Sequence, residues 1–103
     1  MRGSARPTKR RADRRIVVYQ STNREGSTFA LSPDARRMLE SRFGEKFHVS
    51  PRIFVAHKVQ DDLERLHGSL AKHLVMLLTG LDDESLAQAG DIEFWDPVTD
   101  QRL

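Results

Sequence analysis

The sequence predicts an α+β fold: a small sheet of three to four strands, largely antiparallel, with one long helix and one or two shorter ones packed on one face. Three observations lead there. Short β-branched and aromatic runs recur at 16–19, 53–56 and 92–95, each of strand length. Between them lie longer stretches in which apolar residues recur every three or four positions, the period of an amphipathic helix. Strands and helices alternate without any internal repeat, which points to one mixed layer of each kind.

Residues 1–13 hold Gly3, Ser4 and Pro7 among bases and show no apolar periodicity, so they read as a disordered basic arm ahead of a single domain over 14–103. Order is expected from Arg14. Ile16, Val17, Val18 and Tyr19 form the first strand, and the polar residues 21–27 lead to Thr28, Phe29, Ala30 and Leu31, a hairpin with a long loop. Ser32, Pro33 and Asp34 then start a helix: the hydroxyl accepts from free N–H groups, proline gives up no needed donor, and the acid faces the positive end of the dipole. Ala35, Met38, Leu39 and Phe43 share one face of it, and Gly44 stops it.

A third strand is expected near 52–58. Val59, Leu63, Leu66, Leu70, Leu74, Leu77 and Leu81 then step 4-3-4-4-3-4, one stripe along one long helix. Asp61 with Glu64 resembles a capping box at its start, and Gly80 ends it. Gly68 inside it costs roughly 1 kcal/mol relative to alanine, which implies close packing or a bend. Val75, Met76 and Leu78 widen the stripe to nearly all faces, so Leu74 and Leu78 are candidates for a core or a subunit interface. Asp82, Asp83 and Glu84 start a short helix ending at Gly90; Ile92 and Phe94 begin the last strand, and residues 96–99 form a turn.

The chain has 103 residues and a net charge of +2, a size that supports one modest core. Charge is distributed unevenly. Residues 1–15 carry seven bases against Asp13, a net +6, whereas the remaining 88 residues carry ten bases and fourteen acids, a net −4. No cysteine is present, which removes disulfides, thiolate metal sites and cysteine nucleophiles and makes a cytoplasmic setting the default. The longest apolar run is five residues, 74–78, far short of the roughly 20 that cross a bilayer, so no membrane role is expected.

The basic arm suggests a function. Arg6, Lys9, Arg10, Arg11, Arg14 and Arg15 can neutralise phosphates and release counterions, an attraction independent of base sequence. Arginine outnumbers lysine thirteen to four in the chain, which suits bidentate phosphate contact. Arg36 and Arg37 extend the positive set onto the first helix, although their alternation with Glu40 also fits a solvated face. No aromatic interrupts the arm, so backbone contact without base reading is expected. The segment 82–100 is the opposite, with seven acids, no base, and Ile92, Phe94 and Trp95. An acidic rim around an aromatic anchor suits a protein interface, with Phe94 read as core and Trp95 the candidate anchor, its alternative being that it completes the core.

Catalytic and metal-binding patterns are weak. Glu64 and His67 make one Glu-x-x-His step without the second copy that a di-metal bundle needs, and His67 and His73 are six apart. Ser50, Ser69 and Ser85 lie in no glycine-flanked elbow, and no phosphate-cradling glycine loop exists. No catalytic residue, metal, cofactor or small-molecule substrate is therefore expected. The reading is a small accessory or regulatory binding protein, with an acidic body for protein or self-association and a basic arm for nucleic-acid backbone. The alternative is a protein-only module, an inhibitor, adaptor or assembly subunit, whose arm meets an acidic partner.

Overall fold

The strand that begins the described part of the chain lies at the centre of the sheet. The computed structural model describes residues 15–103, in which β1 (Arg15–Thr22), β2 (Gly26–Leu31), α1 (Pro33–Phe43), a 3-10 turn (Gly44–Lys46) and β3 (Ile53–Ala56) are followed by α2 (His57–His67), α3 (Leu70–Thr79), α4 (Asp83–Ala89), β4 (Asp91–Asp96) and β5 (Gln101–Arg102). The sheet order is β3-β2-β1-β4-β5. Neighbours are antiparallel except β1 and β4, which run parallel with Ile16 opposite Ile92 and Val18 opposite Phe94. The arm expected over 1–13, with Arg6, Lys9, Arg10 and Arg11, lies outside the described residues, as does Arg14.

Register explains the core. Side chains alternate along a strand and directly paired residues share a face, so Ile16 and Val18 of β1 join Phe29 and Leu31 of β2, Ile53 and Val55 of β3, and Ile92 and Phe94 of β4. Leu74, Val75 and Leu78 of α3, Leu81, and Leu86 and Ala89 of α4 complete this core. Phe94 meets Phe29 edge-on at 5.7 Å. The other face of β1 and β4 carries Arg15, Val17, Tyr19, Glu93 and Trp95, all half-buried.

The α+β class holds, and the finer architecture is corrected. The sheet has five strands and is mixed, not three- to four-stranded and largely antiparallel. The direction of a pairing between residues 76 positions apart, such as Ile16 and Ile92, leaves no local trace, and β5 is two polar residues paired with Trp95 and Asp96, too short to show a period. The expected long helix is two helices. Gly68 adopts φ 73°, the left-handed cap of α2, and Ser69 starts α3 by accepting from the Lys72 N–H at 3.3 Å. The 4-3-4-4-3-4 stripe continues through this break because a glycine-serine pair fits both a packed helix and a cap.

The break also redistributes the stripe. Leu74 and Leu81 are buried, while Val59, Leu66 and Leu77 remain exposed. Helix α2 begins at His57 after Ala56, without a side-chain cap, so Asp61 and Glu64 lie inside it and make no capping box. The hairpin turn is tight as well. Strand pairing continues to Thr22 and Ser27, and the Asn23 carboxamide oxygen accepts from Glu25 and Gly26 N–H at 2.8 and 3.1 Å, which shortens the expected loop to an Asx turn.

Candidate functional site

A groove of about 630 Å³ lies on the open face of the sheet, between β1 and β4 and the first turns of α1. Its floor is Val17 and Tyr19. Ser32, Asp34, Ala35 and Met38 form one wall, with Arg15, Trp95 and Asp100 on the other sides. Local chemistry builds it. Strand β2 leaves the sheet at Leu31, where the Ser32 N–H donates to the Val17 carbonyl at 3.0 Å and the Ser32 hydroxyl accepts from the Ala35 N–H at 3.1 Å. Helix α1 therefore starts beside β1 where β2 stops, and Ala35, 3% exposed, separates core from groove.

Charge in the groove is arranged in two parts. At one end the Arg15 guanidinium lies 3.5 Å from Glu93 and 5.6 Å from the centre of the Trp95 ring. The Trp95 indole N–H donates to Glu93 at 3.0 Å, and Arg102 approaches the second Glu93 oxygen at 3.6 Å. Glu93 thus compensates two cations and fixes the indole. At the other end the Tyr19 hydroxyl donates to Asp100 at 3.2 Å. Partial burial, then the Asp100 charge and hydrogen bond, then the more distant Asp34 charge, all raise the Tyr19 pKa above its usual value. That end is electronegative. Asp100 holds a left-handed backbone, φ 57°, at the end of a turn in which Asp96 accepts from Val98 and Thr99 N–H.

A second surface borders the sheet edge. Ser50, Ile53, Phe54, Val55, Ala56, Val59, Leu63 and Leu77 line a mostly apolar groove of about 500 Å³. Phe54 and Leu77 there are 53% and 51% exposed. Strand β3 ends the sheet and pairs only with β2 among the described residues, so one side of its backbone is open to a further strand.

The residues singled out by sequence go to different places. Arg15 lines the first groove with its charge already engaged by Glu93. Arg36 and Arg37 are exposed on α1 outside that lining, and Arg37 pairs with Asp34. Trp95 is half-buried and lines the groove. Leu74 and Leu78 are 0% exposed and meet this chain's own core, which leaves them no surface for a partner. Sequence reasoning missed Tyr19 and Asp100, which are 81 positions apart, and the apolar edge around Phe54. The outward positions Val17 and Tyr19 on an alternating strand carried a signal for the first; Phe54, between Ile53 and Val55, carried none for the second.

Among the described residues no three His, Cys, Asp or Glu side chains gather to hold a metal ion. His57 is engaged with the Asn23 carbonyl at 2.9 Å. No described helix is long and apolar enough to cross a membrane. No family model, curated protein or solved structure matches this chain.

Proposed function

We propose that this chain is a small accessory or regulatory protein that works by binding, its folded body associating with protein and its basic N-terminal segment contacting nucleic-acid backbone. The observation that carries the first half is the exposed apolar edge at Phe54, Val59 and Leu77 beside the open side of β3. Exposed large apolar side chains grouped around a groove mark association surfaces, and an unpaired edge strand adds main-chain hydrogen bonds to any strand laid against it. A second copy of this chain is the partner to test, because its own β3 brings the same open edge and two-fold pairing uses one patch twice. The second half rests on the +6 charge of residues 1–15, a density that binds phosphate through counterion release.

One set of variants tests both halves. Light scattering across a concentration series should give a dimer for the native chain and a monomer for Phe54→Asp, with unchanged circular dichroism. A monomer throughout would remove self-association. Binding to a fluorescent duplex should weaken steeply with salt and be lost in a chain carrying R10E, R11E and R14E. Equal binding by native and reversed chains would end the nucleic-acid half and favour the protein-only module.

A further inference from the structure

We propose that the groove between β1, β4 and α1 is the docking site for this chain's own basic segment, with the guanidinium of Arg10 seated between Tyr19 and the carboxylates of Asp34 and Asp100. The site is a shaped depression with an aromatic and aliphatic floor, Val17 and Tyr19, and two carboxylates near its rim. A planar, weakly hydrated guanidinium matches such a lining: it donates to carboxylate oxygens and lies flat against an aromatic ring. Arg15 is drawn away from that end to Glu93 and Trp95, and Arg37 holds one Asp34 oxygen only in a solvent-exposed pair, which an incoming guanidinium can exchange with at little cost.

Length and position select the occupant. Fourteen residues precede Arg15, and Arg15 itself lines the groove, so the segment enters at the groove's edge. Tyr19 lies four residues along β1, about 13 Å at the strand rise of roughly 3.3 Å per residue. A chain that doubles back needs two or three residues to turn and three or four to return. Arg14 and Arg11 are too near to reach Asp100, and Arg6 overshoots; Lys9 and Arg10 fall in range. Charge agrees, because residues 1–15 are +6 and the rest of the chain is −4. Tethering places the arginines at an effective concentration on the order of millimolar at the groove.

Docking would give the arm two exclusive states. An arginine held by Asp34 and Asp100 is withheld from phosphate, so nucleic acid must displace it. The docking itself does not depend on the nucleic-acid reading, and its test uses none.

Trp95 is the only tryptophan and Tyr19 the only tyrosine, and both line the groove. Emission of Trp95 in the full chain is therefore followed from low to 1 M NaCl. The expected result is a shift as the arm is released, lost in the R10E/R11E chain and in D34N/D100N while circular dichroism stays native. A shift that persists in both variants belongs to the Arg15–Glu93 pair and overturns the proposal, as does the absence of any shift. Added hexa-arginine peptide should change Trp95 emission in the R10E/R11E chain and have no effect in R10E/R11E/D34N/D100N; equal responses would also overturn it. The salt midpoint should not depend on protein concentration, and a dependence would mean that a second copy supplies the arm, against the proposal.

Discussion

Tyr19 shows how a single residue reports on a site. It is the only tyrosine, and burial together with Asp100 holds its phenol protonated to higher pH than usual. The sign follows from linkage: the protonated phenol is favoured in the folded state, so the stabilisation is complete below the unfolded pKa near 10 and is lost as pH rises through the folded value. In the R10E/R11E chain, where no arm guanidinium faces the phenol, Asp100→Asn should lower the midpoint of the 295 nm absorbance titration toward 10 while preserving the turn, because asparagine tolerates the left-handed backbone at this position. An unchanged midpoint would place the hydroxyl away from Asp100. At this scale the sequence was partly readable. Trp95 was visible as an aromatic among acids, and its partial burial and contact with Arg15 match a residue that serves both packing and surface. Tyr19 with Asp100 was hidden because a hydrogen bond between distant residues leaves no spacing to read.

The breaks between elements were harder to read than the elements themselves. Each helix start with a capping side chain at Ser32 or Asp82 was legible, because the N–H acceptor stands next to the first turn in sequence; Asp82 accepts from Ser85 N–H at 2.8 Å, and that bond holds its carboxyl below the usual range. The division of the expected long helix was not legible, since periodicity records only which residues are apolar. Gly68→Ala separates the alternatives by sign. In a continuous helix alanine would stabilise by about 1 kcal/mol; at φ 73° it should destabilise by about 1 kcal/mol. The melting temperature should fall by roughly 4–8 °C, and a rise would restore the single helix. Gly26 is constrained differently: a Cβ there would stand 2.4 Å from the Val55 carbonyl oxygen, so the close approach of β2 and β3 requires glycine, and with it the position of the open edge.

For the molecule as a whole, the apolar inventory was legible and its allocation was not. Leu74 and Leu78 face the sheet, whereas Leu77 between them borders the outer groove. Which leucines are inside depends on how the break turns α3, a tertiary property. Leu78→Ala should therefore cost about 2–5 kcal/mol, read as a lower urea midpoint at unchanged molar mass, the reverse of the expectation for Phe54→Asp. A change of molar mass without loss of stability would return Leu78 to an interface. The parallel pairing of β1 with β4 bears on how the protein is made. Arg15 lies opposite Asp91, 76 positions on, so closing that loop carries an entropic cost of about 4 kcal/mol before any contact offsets it. At roughly 5–20 residues per second on the ribosome, Ile16 and Val18 wait about 4–15 s for Ile92 and Phe94. During synthesis the central strand is thus an edge strand, and the nascent hairpin is the species most exposed to misassembly.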